Sequence, residues 1–408
     1  MRIIYNSLDN FLFVLGSLFI QVFFARYMEA DEFGLFTLIF TVLAFAQMVS
    51  LSFFHEPFVL HSNSQNIEKS KQLLFFLVSR MLLSALPVFL FGFFLIYITN
   101  FKLSLIDYCL IFGSCLAAIN FQFLRRFYHF MPLGLFGLYS SISYLVSLCL
   151  VLGLYLLFDV TINYKLAFLA VGISAFVASI FNLVVIGYQD GRSGNLWQFT
   201  DLGVLNFKMG LKVFSGNLSF FFISNMFILV LSIWGTMDEV GTLRMIFITL
   251  LPLNYIIASL NTIALATIKE KLALANSNRA VTYTINWFFM ILLIGVIYGL
   301  FILEYFPSLF SIVFNKNISV DLVSLYLIAF LPLVSIMNLP FNLYLRARGR
   351  PDFVAIAALL SLIFLIIFSV SPIYFEVQDN IKWLLFSYFV SYVVGAFISL
   401  MMFRNLVK

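Results

Sequence analysis

Asp31-Glu32-Phe33-Gly34, followed by Leu38-Ile39-Phe40, returns 207 residues further on as Asp238-Glu239-Val240-Gly241, followed by Met245-Ile246-Phe247. That spacing is about half of the 408-residue chain. In each copy a long apolar run ends, an acidic tight turn follows, and a glycine opens the next apolar run. The chain therefore reads as two similar halves in tandem. In a membrane protein such duplication marks a transporter built from repeats, with its site between them.

Composition fixes the solvent. The chain is 63% hydrophobic and 10% charged, with a mean hydropathy of +1.07. A soluble domain carries roughly 25% charged residues. A bilayer-spanning helix needs ~20 mostly apolar residues, and such runs follow one another almost end to end. The expectation is an all-α polytopic membrane protein with no soluble domain. The net charge of +5 does not point to nucleic acid, because the basic residues sit in short inter-helix loops. Cys109, Cys115 and Cys149 all fall within apolar segments, away from any histidine at metal-ligand spacing, so neither a disulfide frame nor a metal site is expected. The first 27 residues read as a retained span, since the apolar stretch is long and Gln21 and Arg26 make a poor cleavage site.

Twelve spans are predicted at approximately 3–27, 34–58, 73–98, 104–124, 134–158, 164–187, 211–234, 241–267, 281–303, 321–345, 353–373 and 382–403. An even number puts both termini on one side. With the termini cytoplasmic, 17 of the 23 basic residues fall inside and six outside, as the positive-inside rule requires. Arg125, Arg126, Arg346 and Arg348 are among the inner ones. The longest inner loop, 188–210, reads as a linker with an amphipathic segment lying on the interface. It separates an N-terminal lobe, 1–187, from a C-terminal lobe, 211–408. Each lobe then has six helices and starts inside, so a pseudo-two-fold axis along the membrane normal relates them. Asn120, Leu124, Arg125 and Arg126 at the end of span four are echoed by Asn342, Leu345, Arg346 and Arg348 at the end of span ten.

Polar residues within spans are costly and need a reason. On span one, Asn6, Asn10, Ser17 and Gln21 share a helix face, with Asp9 beside them. That face lines a cavity or makes helix–helix hydrogen bonds. His55 and Glu56 end span two before Pro57; they could relay a proton or bind a cation, or simply sit at interface depth. Arg80, in span three, either snorkels to the cytoplasm or meets an anionic substrate. Arg26 and Arg244 close the outer ends of spans one and eight, as rim ion pairs or as substrate contacts. Span seven offers Lys208, Lys212, Ser215 and Ser219 on one face, with Asn217 and Asn225 deeper. Span eight offers Asn254 and Asn261, with Pro252 expected to kink the helix or free a carbonyl. Spans one and two and their repeat partners seven and eight hold much of this polarity, so a cavity between the lobes lined by those four helices is expected. Its candidate residues are Asp9, Asn10, Gln21, Arg26, His55, Glu56, Arg80, Lys212, Asn217, Asn225, Arg244 and Asn254.

Phe24-Ala25-Arg26-Tyr27-Met28 followed by Asp31-Glu32-Phe33-Gly34-Leu35-Phe36 resembles a signature of Wzx-type polysaccharide flippases, the O-antigen and capsule repeat-unit flippases of the multidrug/oligosaccharidyl-lipid/polysaccharide (MOP) exporter superfamily. Leu345-Arg346-Ala347-Arg348-Gly349-Arg350-Pro351 is similar to that family's basic loop after the tenth helix. The span count, the two halves and the length agree along the whole chain. The resemblance implies a V-shaped pair of lobes and an alternating-access cycle in the bacterial inner membrane. It implies translocation of undecaprenyl-pyrophosphate-linked oligosaccharide, with cationic cavity residues meeting the pyrophosphate or acidic sugars. Where many relatives carry an acidic-basic pair in span seven, this chain has Asn225-Met226. No cofactor is expected. Proton or sodium coupling stays open, as do contacts with membrane lipids and other glycan-assembly membrane proteins. A drug/cation antiporter of the same superfamily is the nearest alternative. A polysaccharide polymerase or ligase fits less well, because the outer loops are short and no nucleophile–base constellation is visible. A scaffold role in a glycan-assembly complex is the third alternative.

Overall fold

The computed structural model describes residues 2–50, 52–53, 85–98, 104–130, 134–188, 200–274, 277–370 and 379–407. These form thirteen helices, with no strand among them: α1 (Arg2–Tyr27), α2 (Ala30–Ser50), α3 (Ala85–Ile98), α4 (Leu105–Phe130), α5 (Gly134–Leu157), α6 (Tyr164–Tyr188), α7 (Thr200–Trp234), α8 (Met237–Ala273), α9 (Ser277–Phe314), α10 (Leu322–Met337), α11 (Leu339–Ala347), α12 (Pro351–Val370) and α13 (Asn380–Val407). Nine stretches among the described residues are long and apolar enough to cross a membrane. The protein is a multi-pass membrane protein. Helix is the form such runs must take, because hydrocarbon offers no partner for an unpaired backbone group.

The starts and stops follow local chemistry. Ser104, Asn163, Thr236, Asp321 and Asp379 accept a backbone N–H with their side chains at the starts of α4, α6, α8, α10 and α13. Left-handed residues stand just beyond α5 (Asp159, φ 47°), α9 (Asn315, φ 55°) and α11 (Gly349, φ 75°). At the last of these Arg350 N–H reaches back to the Leu345 carbonyl at 2.9 Å and turns the chain. The expected tenth span is two helices. Pro340 has no N–H to give to the preceding turn, so the chain breaks at Asn338 and restarts as α11. Pro252 leaves α8 continuous, and the Tyr298 hydroxyl of α9 donates to the Thr249 carbonyl in the turn before it, at 2.6 Å. Thr200–Gly210, expected within the interfacial linker, are the first turns of α7 and run straight into span seven.

Two compact units divide the chain at Phe221/Phe222, inside α7. In unit 1, α4 packs along α6, α6 along α5, and α5 along α1. Its buried aromatic centre is Phe24, Phe33, Phe36 and Phe168, with Phe36 5.2 Å from Phe24 and 5.4 Å from Phe168 between ring centroids. In unit 2, α12 and α10 pack on α13, and α9 on α10 and α8. Tyr388 of α13 is buried against Phe227 and Phe247, and its hydroxyl accepts the Phe227 N–H at 3.1 Å. The other end of unit 2 is filled by Ile257, Ile291, Tyr344 and Phe403.

The α4–α6 seam is set by one glycine. A Cβ on Gly172 would stand 2.9 Å from Ser114 Cβ and 3.0 Å from its Cα. Valine there must push backbone, so Gly172→Val is expected to destabilise unit 1 by about 1–3 kcal/mol. A melting curve in detergent unchanged from wild type would refute this.

Candidate functional site

Among the described residues of unit 1 the most buried charges form an ion pair. Asp9 lies two turns into α1 and Arg125 near the end of α4, and both are buried, at 0% and 1% exposure. Arg125 Nη1 donates to Asp9 Oδ2 at 2.8 Å. The Ser141 hydroxyl of α5 donates to the other carboxylate oxygen. The guanidinium lies over the Phe13 ring, 4.2 Å from its centroid, and its Nε has no hydrogen-bond partner. Three helices therefore converge on one carboxylate. Each charge is neutralised by the other, and Arg125 cannot lose Asp9 without leaving its guanidinium a bare ion out of water. Arg125, counted by sequence among the cytoplasmic basic residues, turns its side chain into the unit.

The other expected cavity residues, where described, lie on α1, α7 and α8. Gln21 is buried on α1 and donates to the Ser17 carbonyl at 3.1 Å. Arg26 is exposed in the last turn of α1. Asn217 of α7 donates to the Ser52 hydroxyl at 3.1 Å, joining α7 to the end of the second span within unit 1. Asn225, Arg244 and Asn254 are half-buried on α7 and α8 in unit 2, with Arg244 in electrostatic reach of the Tyr388 hydroxyl. Asn10 and Lys212 lie in α1 and α7, with their side chains outside the described set. His55, Glu56 and Arg80 lie outside the described residues.

The repeated acidic turn acts alike in both units. Glu32, in the first turn of α2, accepts the Tyr164 N–H at the start of α6, at 3.3 Å. Glu239, in the first turn of α8, accepts from the Asn380 side-chain amide at the start of α13, at 3.2 Å. In each unit the second helix thus holds the N-terminus of the sixth, where backbone donors and the helix dipole favour an anion. An ion pair repeats beside it. Lys165 of α6 meets Asp107 of α4 at 3.0 Å, and Lys382 of α13 meets Asp321 at the cap of α10 at 2.8 Å. Sequence comparison missed these pairs, because each joins residues 58 or 61 apart through different loops. Lys382, and then Ser324, hold the Asp321 carboxyl down from its ordinary 3.8 to about 2. A depressed carboxyl favours folding above its ordinary value, so this link is whole above 3.8 and is lost as pH falls through about 2.

Two hollows flank the start of α13 in unit 2. A cleft of about 680 Å³ is walled by α8, α10 and the segment before α10, with Asp321, Asp379 and Lys382 at its rim. A smaller hollow of about 210 Å³ lies on the adjoining face of α13, between Trp234, Gly235, Ser369 and Asn380. The Ser369 hydroxyl there is buried and without a hydrogen-bond partner.

Comparison with known proteins places this architecture. The lipid II flippase MurJ, in an inward closed conformation, superposes with a TM-score of 0.65 at 15% identity, over 98% of this chain and 87% of that one. A multidrug resistance MATE family transporter of the MOP superfamily, inward-facing, superposes with a TM-score of 0.62 at 11% identity, over 100% and 94%. A MOP superfamily transporter from Pyrococcus furiosus gives 0.60 at 12% identity, over 99% and 95%. No protein-family model matches the chain, and no curated protein matches it significantly. The chain has the fold of MOP superfamily transporters, with two lobes.

Proposed function

We propose that the protein is a flippase that carries undecaprenyl-pyrophosphate-linked oligosaccharide repeat units from the inner to the outer leaflet of a bacterial cytoplasmic membrane by alternating access. The observation that carries this reading is the likeness, over almost the full length of both chains, to a flippase whose name gives a lipid-linked substrate. The acidic-glycine turn after Ala25-Arg26 adds the resemblance to polysaccharide flippases. The glycan head is large and polar and will not cross hydrocarbon unaided, whereas the polyprenyl tail can stay in lipid. No covalent step is needed. The head must bind the two states unequally, or a proton or sodium gradient must drive the cycle. Arg26, Arg80 and Arg244 are the cations proposed to meet the pyrophosphate.

The likeness to multidrug transporters supports a second reading, a drug/cation antiporter. It asks for an intramembrane carboxylate that exchanges ions. Among the described residues Asp9 is the fully buried candidate, and Arg125 already neutralises it. The two readings separate in a deletion strain probed from the outer face of the inner membrane. Intact repeat units held on the cytoplasmic leaflet are expected. Repeat units that cross normally would refute the flippase.

A further inference from the structure

The two hollows at the start of α13 are made of unlike materials that suit one kind of ligand. The smaller offers an indole face (Trp234), an amide (Asn380) and the orphan hydroxyl of Ser369. A buried hydroxyl without a partner costs roughly 1–3 kcal/mol, and a ligand hydroxyl bonded to it would recover that. The larger offers two carboxylates and one ammonium beside an apolar floor that includes the half-buried Ile318, Val320 and Ile381. Its volume falls in the range of small-molecule sites. Asn380 and Leu384 face the first hollow, and Ile381 and Leu385 the second, so one helical turn of α13 serves both.

We propose that this end of unit 2 is a saccharide site for neutral or amino sugars, in which Trp234 and the apolar floor take the C–H faces of the rings and Asp379, Asp321, Ser369 and Asn380 take the hydroxyls. The proposal rests on the flippase reading, in which the transported head is an oligosaccharide. Charge sets the selectivity. Asp321 and Asp379 outweigh Lys382, so the rim repels phosphate and uronic acids and accepts an ammonium. Pyrophosphate must then be held elsewhere, and this site reads sugar alone.

Saturation-transfer NMR on the full chain in lipid nanodiscs tests it, with the methyl glycosides of glucose, galactose, N-acetylglucosamine, glucosamine and glucuronic acid as probes. Saturation is expected on one or more neutral or amino glycosides and not on the glucuronide. Ser319→Trp, which fills the larger cleft from an exposed position, should abolish it. Ser369→Ala should weaken binding about fivefold, one hydrogen bond's worth, with no loss of melting temperature, because it removes an unsatisfied group. Silence from all five probes, preference for the glucuronide, or equal signals in wild type and Ser319→Trp would overturn the proposal. Failure here leaves the leaflet result in the deletion strain untouched, whereas failure of the flippase reading shows in that strain first.

Discussion

Asp9→Ala is expected to remove most folded protein from the membrane. The variant leaves the Arg125 guanidinium buried with no counter-ion, and its Nε is already unbonded. Breaking a buried pair from one side costs roughly 3–5 kcal/mol, against a total stability of about 5–15 kcal/mol for ordinary domains. Ser141 would lose its acceptor as well. Thermal unfolding of the purified variant, or its yield if it cannot be purified, measures the effect. The decisive partner is the double variant Asp9→Leu with Arg125→Met, which replaces both charges by apolar groups of similar volume. Such replacements are commonly neutral or stabilising, so stability should return. A single variant that melts with the wild type would show that the pair is not needed to hold α1, α4 and α5. Export by the double variant then separates two roles. A folded protein that exports normally assigns the pair to architecture, and a folded protein that cannot export assigns it to the cycle.

Much of this fold can be read from hydropathy alone, because hydrocarbon leaves so few choices. Each of the twelve expected spans overlaps a described helix, or two at Asn338, with parts of the second, third and eleventh spans outside the described residues. The break there has a visible signal in Asn338-Leu339-Pro340, which the unbroken apolar run hides. The extension of α7 back to Thr200 is hidden for a related reason, since Gly203 and the polar residues around it look like a linker. Partners across the bundle are harder. Arg125 sits beside Arg126 at a helix end, where basic residues ordinarily face water, and nothing local says that Arg125 turns inward. The clue is Asp9, an intramembrane carboxylate with no cation within one helical turn of it on α1. Such a group demands a partner elsewhere, and the ends of other helices are where partners are found. The rim pairs were hidden because each half reaches them through loops of different length. Only the glutamate, which keeps its offset of 207, announced that it had a job to repeat.

That job is unequally shared, and Glu239→Ala should cost more than Glu32→Ala. Glu239 reaches back to the Thr236 N–H at 2.8 Å, closing a capping box, and also accepts from Asn380 of α13. Glu32 accepts one backbone donor, Tyr164, at 3.3 Å. The sequence explains the difference. The position matching Thr236 is Glu29, which makes no such cap, and the position matching Gly235 is Met28. A Cβ on Gly235 would stand 2.5 Å from a Glu239 carboxylate oxygen, so only glycine lets that carboxylate fold back over the helix start. Losing a cap costs ~1 kcal/mol, and a hydrogen bond to a charged group adds about 1.5 kcal/mol at an exposed site. Glu239→Ala is therefore expected to lose about 2.5 kcal/mol and Glu32→Ala about 1.5 kcal/mol, measured as shifts in unfolding in detergent. Glu239→Gln keeps an acceptor for both donors but gives up the charge at the helix N-terminus, and should fall between wild type and alanine. Gly235→Ala should reproduce most of the Glu239→Ala loss by displacing the carboxylate it leaves in place. Equal losses at Glu32 and Glu239, or a harmless Gly235→Ala, would mean that the second acidic turn acts by its backbone alone.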